Sequence, residues 1–273
     1  MSGRFSDPGR RTSIVDVITM KACSKLDTVQ TLKENGCVDR PPFEVLYEDN
    51  HCIAISKPAG ELSTHYQGKE ETLDRDIKRY LKEKYHKPGN VFLGVVHRLD
   101  RLVSGVLLFA RTTKAAGRIA QQFRDGTVKK KYWVVIEGRY PQADGTFDDW
   151  LLKDHQAGQV RVVTPHTPGS RYCVLHHRRL RGGKLVGRHV SFLEIDLQTG
   201  RTHQIRAQLA HRGFPVYGDK KYGSRRSFGR AIALHARSLT FIHPTRGEPI
   251  TLVAQLPAAW RNHFGPLFAE IDK

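Results

Sequence analysis

Cysteine is scarce in this sequence, and long apolar stretches are missing from it. The four cysteines are Cys23, Cys37, Cys52 and Cys173. They lack the paired spacing of a zinc knuckle or a disulfide framework. No apolar run is long enough to span a membrane, and no basic amphipathic helix is evident. The N-terminal residues hold no apolar segment typical of a secretory signal, and Asp7 and Asp16 argue against a mitochondrial presequence. These absences predict a protein of the reducing cytoplasm that makes no membrane contact.

Acidic residues are also in short supply. The chain has 27 Asp and Glu against 45 Lys and Arg, which gives a formal net charge of +18 and a pI near 10.0. A field of this sign attracts polyanions, and RNA or DNA is the commonest such partner. The few acidic residues are scattered, whereas a metal-dependent nuclease needs clustered acidic ligands. We therefore expect a nucleic-acid partner and no bound metal.

The chain divides into three parts by its pattern. Residues 1–41 show no sustained periodicity and end beside the Pro41-Pro42 pair, so we expect a partly flexible N-terminal extension there. One main domain is expected over residues 42–262, followed by a C-terminal tail over 263–273. A chain of 273 residues is long enough to bury a core of its own.

The main domain alternates between strand and helix patterns. FEVLYED and HCIAIS predict a hairpin, VFLGVV a buried strand and VLLFAR another. Helices are expected over 72–85, over 113–125 before Gly126, over 202–211 before Gly213, and around Trp260. After Pro141 the sequence is typical of loops, with further strands at QVRVVT, SRYCVLHH, HVSFLEIDL, SLTFIHP and EPITLVAQLP. Runs of strands interrupted by a few helices predict an α+β fold on a largely antiparallel sheet.

Asp100 stands in a polar turn between two apolar strands, with Arg98 and Arg101 on either side. Loops at strand ends are where a rigid sheet presents reactive groups. A lone cluster of Asp and Arg is more often an ordinary surface ion pair, however. Taken without its context, this segment favours the surface ion pair.

Two further segments are candidates for anion or nucleic-acid binding. Gly200–Arg206 opens a helix, where backbone N–H groups favour an anion, either a phosphate or the Asp100 carboxylate held by Arg206. A solvated basic helix start explains the same residues. The run of Lys129–Lys131 before Tyr132 and Trp133 suits backbone contact with base stacking. Simple strand alternation, with the two aromatic rings on opposite faces, explains it equally well.

In combination and order these segments resemble the RluA family of pseudouridine synthases. HRLDRLVSG closely matches the family's central motif, and KKYWVVIEG looks like its Lys-x-Tyr motif. LQTGRTHQIRAQLAHRGFPVYGDKKYG is similar to a third motif, ALHARSLTFIHP to a C-terminal one, and KPAG to an early element. Five ordered blocks spanning roughly residues 43–256 make a chance match implausible.

The resemblance implies an enzyme that isomerises uridine to pseudouridine in structured rRNA or tRNA. It implies the pseudouridine synthase fold over residues 42–262, a mixed and mostly antiparallel central sheet with flanking helices and a catalytic cleft at mid-sheet. Asp100 is the implied nucleophile, at ribose C1′ or uracil C6, and Arg206 pairs with it. Tyr132 is implied to stack on the uracil and to assist proton removal from C5, and Arg98 to fill the gap left by the extruded base. Further RNA contacts are expected from His97, Arg101, Lys131, Arg201 and His203.

The sequence departs from the family pattern in a few places. Val103 stands where the family usually has Thr, and Gln208 where relatives often have His. Residues 1–41 are too short for the S4 RNA-binding domain of many members, so we expect RNA to bind the main domain's own basic surface. A monomer that needs no cofactor and no metal is expected.

A different class of function remains open at this point. An RNA-binding or chaperone module could keep the fold without turnover. The intact Asp100, Tyr132 and Arg206 argue against that alternative, because binding alone needs no carboxylate facing a polyanion.

Overall fold

The computed structural model describes residues 43–64, 71–154 and 156–268. The strands are β1 Glu44–Glu48, β2 Cys52–Lys57, β3 Gly94–Val95, β4 Ser104–Ala110, β5 Lys129–Glu137, β6 Asp144–Asp154, β7 Gln159–Val163, β8 Arg171–Leu185, β9 Arg188–Leu197, β10 Leu234–Ile242 and β11 Pro249–Val253. The helices are α1 Leu73–Lys84, α2 Thr113–Arg124, α3 Gln204–His211 and α4 Ala258–Phe268, with a 3-10 turn at Lys220–Tyr222. The expected extension over 1–41 and residues 269–273 of the expected tail lie outside the described residues.

The strands form one sheet in the order β1-β2-β4-β10-β5-β9-β8-β6-β7, with β3 beside β4 and β11 beside β10. Strand β10 lies in the middle, parallel to β4 and antiparallel to β5. All the other recorded pairs are antiparallel. The expected mixed, mostly antiparallel α+β fold is confirmed.

Helices cover both faces of this sheet. Strand β4 is buried throughout, and its alternate residues Leu107 and Leu108 point into two different apolar cores. The larger core receives Ile77 of α1, together with residues of α3 and α4. The smaller core receives Ile119 of α2. The sequence pattern places these helices to within one or two residues, because their apolar residues recur at helical spacing.

Three expectations about the elements are wrong in detail. VFLGVV contributes only the two-residue strand β3, and Phe92 and Val95 are 45% and 46% exposed. The segment after Pro141 is not loop-rich, because the eleven-residue β6 occupies it. Its polar composition hides a strand whose only fully buried side chains are Phe147 and Leu151. Strand β8 continues beyond SRYCVLHH to Leu185.

Helix α4 extends past the boundary drawn at residue 262. It runs to Phe268, and its residues Phe264 and Leu267 are buried in the larger core with Trp260. Residues 263–268 are therefore part of the packed domain.

A glycine brings the central strands together beside the loop of Asp100. Gly105 of β4 pairs with Ala236 of β10 and has φ +118°. A Cβ at this position would lie 2.2 Å from the Ala236 carbonyl oxygen, so only glycine allows the approach. The neighbouring Ser104 Oγ lies 2.8 Å from Nδ1 of the buried His235. These contacts fix the start of β4, and with it the loop that precedes it.

Candidate active site

Three segments that are far apart in sequence meet above the central strands. Asp100 lies in the loop before β4, Tyr132 lies on β5, and Arg206 lies on α3. All three line one open cavity of about 870 Å³. Arg98 and Arg201 line it as well, so its walls are predominantly basic. A cavity at mid-sheet in which Asp100 lies among several cations is the arrangement expected from the sequence, and Asp125 is a second acid in its lining.

Arg206 connects two carboxylates. Its Nη1 donates to Asp100 Oδ2 at 2.8 Å, while Nε and Nη2 donate to the two oxygens of Asp219 at 2.6 and 3.0 Å. The side chain of Asp219 is fully buried and that of Arg206 is 4% exposed, whereas Asp100 is 29% exposed. Burial opposes the guanidinium charge, but the hydrogen bonds and charges of Asp219 and Asp100 raise the pKa of Arg206. The arginine is thus a fixed cation that presents Asp100 to the cavity.

Asp219 was not singled out by the sequence argument. It lies in the GDKKYG segment, which attracted notice only as part of a motif. The available signal was an acidic residue between Gly218 and two lysines, which resembles an exposed turn. Its bidentate pair with Arg206 depends on a contact between α3 and the loop before the 3-10 turn, which spacing cannot reveal.

Lys57 anchors the loop that contains Asp100. Its ammonium donates to the carbonyls of Pro58, Arg101 and Val103 at 2.9, 3.0 and 2.8 Å, and its side chain is almost completely buried. Burial lowers the pKa of Lys57 to about 8, so the group still carries its proton at neutral pH. All three N–H bonds are used, and the ends of the loop are tied to the KPAG segment. Arg101 completes this tie by donating from Nε to the Gly60 carbonyl at 2.9 Å.

Alternation along β5 decides which of its residues face the cavity. Lys130 and Tyr132 line it, while Trp133 is buried and Lys131 pairs with Glu194 at 3.2 Å. The expected RNA contact at Lys131 therefore lies away from the cavity, and its neighbour Lys130 takes that position. Period-two spacing from Tyr132 was the signal that could have identified Lys130. Burial, and then the charge of Asp100, raise the pKa of Tyr132, so its phenol is protonated at neutral pH.

His203 adds a second group beside the carboxylate. It has φ +51°, an uncommon backbone conformation for a residue other than glycine. Its Nε2 lies 3.7 Å from Asp100 Oδ2, and its Nδ1 is 2.9 Å from the Tyr222 hydroxyl. The Tyr222 ring also stacks against the guanidinium of Arg206, whose Cζ lies 4.9 Å from the ring centre. His203 thus lines the cavity next to the ion pair, and Tyr222 supports both His203 and Arg206.

His97 lines the cavity through its ring but uses one nitrogen structurally. Its Nε2 accepts a hydrogen bond from the Leu108 amide at 2.9 Å, and its ring stacks on Phe123. Burial, helped by Lys130, lowers the pKa of His97 to about 3, so the ring is neutral. Arg98 next to it is exposed at the cavity, and it forms no ion pair among the described residues.

The two departures from the family pattern lie outside the ion pair. Val103 is buried, and its carbonyl accepts from Lys57. Gln208 Nε2 donates to Asp149 Oδ2 at 2.7 Å, on the side of α3 that also holds Arg212. The Val103 amide donates to the backbone carbonyl of Asp100 at 3.0 Å, but no hydrogen bond from either position reaches the Asp100 carboxylate among the described residues.

One cluster in the described residues could hold a metal ion by composition, and it lies outside the cavity. Asp49, Cys52 and His243 bring one potential ligand atom each to within 4.8 Å of one another. Asp49 already accepts hydrogen bonds from two backbone amides, and its Oδ2 is 2.7 Å from His243 Nε2. Burial raises the pKa of the Cys52 thiol to about 12, which disfavours the thiolate that a metal requires. The cluster closes the β1–β2 turn and does not fit a metal.

Comparison with known sequences places this geometry in a family. Residues 51–211 match the family described as RNA pseudouridylate synthase. An uncharacterized RNA pseudouridine synthase of Synechocystis is 34% identical over 80% of this chain and 66% of its own length. Ribosomal large subunit pseudouridine synthase D of Zymomonas mobilis is 31% identical over 79% and 70%. tRNA pseudouridine synthase C of Pectobacterium carotovorum is 33% identical over 80% and 60%. The chain thus spans about two thirds of the length of these relatives.

A solved structure shares the fold. Human RNA pseudouridylate synthase domain containing 4 superposes with a TM-score of 0.67 at 23% identity, covering 82% of this chain and 92% of that one. No described helix is both long and apolar enough to cross a membrane. The resemblance seen in the motifs is confirmed by the family match over more than half of the sequence. The chain belongs to the RNA pseudouridylate synthase family.

Proposed function

We propose that this protein converts specific uridines to pseudouridine in structured rRNA or tRNA. The observation that carries the proposal is the Asp100 carboxylate, held at 2.8 Å by a buried arginine in a basic cavity. A partly exposed carboxylate in a basic cavity repels the phosphates of RNA, so the presence of Asp100 there needs a chemical reason. Membership of the family supplies that reason.

The reaction requires the base to leave the helix before any bond changes. The glycosidic bond of a stacked uridine is inaccessible, and extrusion costs a few kcal/mol. Arg98 is exposed at the cavity and is proposed to fill the space left in the RNA. Lys130 and Arg201, which also line the cavity, are placed to contact flanking phosphates.

Asp100 then acts as the nucleophile. In one route its carboxylate bonds to ribose C1′ and the N1–C1′ bond breaks. In the other route it adds to C6 of the uracil as the C5–C6 double bond opens, and the N1–C1′ bond breaks afterwards. Either way C5 finally bonds to C1′, the carboxylate is released, C5 loses its proton and N1 gains one, so the product is an isomer. Covalent attachment divides the exchange into two easier steps. Arg206 favours the charged carboxylate and fixes its direction.

Tyr132 is proposed to stack on the extruded uracil. Because burial raises the pKa of its phenol, a phenolate base at neutral pH is disfavoured. Its contribution is therefore the ring surface and a protonated hydroxyl, and it is a poor acceptor for the C5 proton. His203 lines the same cavity, with its Nε2 3.7 Å from Asp100 Oδ2, and is proposed as a further RNA contact.

Replacing Asp100 by alanine tests the proposal. We expect pseudouridine formation to fall by at least ~10³-fold, the scale seen when a nucleophile is removed. RNA affinity should stay nearly the same, and Arg206 keeps its bidentate partner Asp219, so folding should persist. Pseudouridine positions would be mapped in RNA from cells that lack the gene and carry either variant or wild type.

Asp125→Ala is the matched control, since Asp125 lines the same cavity but hydrogen-bonds to Gln121 instead of Arg206. It should keep most of the activity. An Asp100→Ala protein that modifies RNA at the wild-type rate would contradict the assignment of Asp100 as the nucleophile. A wild-type protein that restores no pseudouridine to the RNA of cells lacking the gene would leave only the non-catalytic RNA-binding alternative. The proposal also includes a cytoplasmic monomer. The two described cysteines, Cys52 and Cys173, are free and buried, which suits a reducing compartment.

A further inference from the structure

A second basic cavity lies away from the active site. It has a volume of about 540 Å³ and sits between the turn half of the β8–β9 hairpin and the loop after β5. We call it the hairpin groove. Its cationic lining residues are Arg139, Arg179, Arg181 and Lys184, and the imidazole of His189 lines it as well. None of its lining residues lines the active-site cavity. Along β9, His189 in the groove and Leu197 at the active site are eight residues apart, about 26 Å of strand.

The backbone around the hairpin groove is rigidly connected. The Gly138 amide donates to the His189 carbonyl at 2.9 Å, and the Tyr140 amide donates to Ser191 Oγ at 2.9 Å. Ser191 Oγ in turn donates to the Gly138 carbonyl at 2.9 Å. The Arg179 guanidinium donates to the carbonyl of Tyr140, whose ring is almost fully buried. The frame is therefore preorganised, and it holds Arg179 in place without any bound anion.

The charge of this region is of one sign. Residues 178–188 contain five Lys or Arg and no Asp or Glu. Arg178 is paired with Glu194 at 3.0 Å. Arg139, Lys184 and Arg188 are exposed and form no ion pair with any described residue. Like charges held together repel each other unless an anion lies among them, so the groove is built for an anionic ligand.

The chemistry of the lining identifies the kind of anion. Guanidinium and ammonium groups suit phosphate oxygens, and arginine does so in bidentate geometry. Among the described residues, the lining has no aromatic ring on which a base could stack apart from the His189 imidazole. It also has no Asn or Gln to read a base edge. A ligand held here is held through its phosphates.

We propose that the hairpin groove binds the sugar–phosphate backbone of the same RNA whose uridine enters the active site. This inference rests on the proposed function, and it adds a second contact about 26 Å from the first. Two separated contacts favour an RNA whose folded shape reaches both places, while carrying no sequence information themselves. The groove thereby selects structured RNA over short strands.

A triple variant tests the groove. Arg139→Gln and Lys184→Gln change lining residues, and Arg188→Gln changes the exposed residue next to the lining residue His189. The matched control replaces Lys78, Lys82 and Lys87 by Gln, which removes the same charge from α1 and the residues after it. The Tyr80 hydroxyl of α1 donates a hydrogen bond to Glu48 of β1, so α1 lies beside β1. Strand β1 is at one edge of the sheet, and β8 lies near the opposite edge. Both variants change surface positions and should melt within ~0.5 kcal/mol of wild type.

Binding to a structured RNA that the enzyme modifies is then measured across salt concentrations. Each lost phosphate contact makes the slope of log affinity against log salt less steep by ~0.7–0.9. The slope should therefore become less steep by about 2–3 in the groove variant and by less than ~1 in the control. With saturating RNA, kcat should be unchanged in the groove variant while KM rises ~10-fold or more. A stem-loop of about five base pairs, roughly 17 Å at ~3.4 Å per pair, is too short to reach the groove. All three proteins should modify it equally.

Three results would overturn the assignment. One is an unchanged salt slope in the groove variant. Another is an equal loss in the α1 control, which would mean that only total charge matters. The third is competition by inorganic phosphate at concentrations where chloride of equal ionic strength has no effect, which would indicate a site for a single small anion. The slope reports binding alone, so a wild-type protein that bound RNA through the groove but formed no pseudouridine would contradict only the proposed function.

Discussion

Basic side chains lie under opposite conditions near the two ends of strand β9, at the active-site cavity and at the hairpin groove. At the active-site end, Arg206 is buried against two carboxylates, and Lys57 beneath it is buried against three carbonyls. At the hairpin end, Arg139, Lys184 and Arg188 are exposed and form no ion pair with a described residue. The Lys and Arg residues behind the net charge of +18 therefore include buried cations that organise the active site and exposed cations that are available to an anionic ligand.

This difference sets what each substitution should cost. Removing a partner of a buried cation leaves an uncompensated charge in a poorly solvated place. Removing an exposed cation costs almost no folding free energy and acts on binding alone. Stability and affinity should therefore separate between the two ends.

Asp219→Ala should show the largest effect on stability. It leaves the Arg206 guanidinium buried with one carboxylate instead of two, and breaking such pairs typically costs ~3–5 kcal/mol. Pseudouridine formation should also fall sharply in the folded fraction, since Arg206 loses the contact that directs it at Asp100. Denaturant unfolding and single-turnover rates measure the two losses.

Glu248→Ala is the control for Asp219→Ala. It breaks an ion pair with Arg246 in which both side chains are about half exposed, so its cost should be below ~1 kcal/mol. If both variants were equally stable, the claim that buried pairing organises the active-site end would be lost. Asp219→Asn keeps the shape without the charge, and its loss should fall between those of Asp219→Ala and wild type.

Lys57→Met should give the second-largest effect. Methionine fills a similar volume but leaves the buried Val103 carbonyl without its donor, at a cost of about 1–3 kcal/mol. The loop of Asp100 should loosen, so kcat should fall more than RNA affinity. Lys184→Met in the hairpin groove is the comparison, with a change of folding free energy within ~0.5 kcal/mol. Equal unfolding midpoints for the two would show that Lys57 is not a structural anchor.

From the residues alone, the pair of Asp100 and Arg206 was one of two possibilities at the start of α3, and only the resemblance selected it. From the residues alone, Asp100 looked like a surface turn, because nothing in local spacing shows that α3 lies above the loop before β4. Helices with apolar residues at regular intervals were predictable, since their pattern directly reflects the buried face. Strand β6 was not, because its exposed face is rich in Asp and its apolar residues are sparse.

The supporting residues of the site were harder still. Asp219 and Lys57 are charged residues that sequence statistics place at the surface, and only long-range contacts explain their burial. The hairpin groove had a visible signal, five Lys or Arg between residues 178 and 188. These residues lie between the predicted strands SRYCVLHH and HVSFLEIDL, and sequence pattern does not show which of their charges lack partners.

The smallest effect is expected from His97, and only in acid. Its folded-state pKa of about 3 lies below the ordinary value of 6.5, so the folded ring resists a proton that the unfolded chain accepts. The stabilisation from the neutral ring is complete above pH 6.5 and is lost as pH falls from 6.5 towards 3. His97→Gln keeps an acceptor for the Leu108 amide without titrating, so its stability should fall less steeply across that window. At neutral pH the two proteins should differ little.

Some acid sensitivity should remain in His97→Gln, because burial also lowers the pKa of His235 to about 4. His189→Gln, at an exposed position of the hairpin groove, is the matched control and should keep the wild-type slope. If His97→Gln also kept that slope in denaturant titrations between pH 3 and 6.5, His97 would not be held neutral by the site, and its ring would be available to RNA.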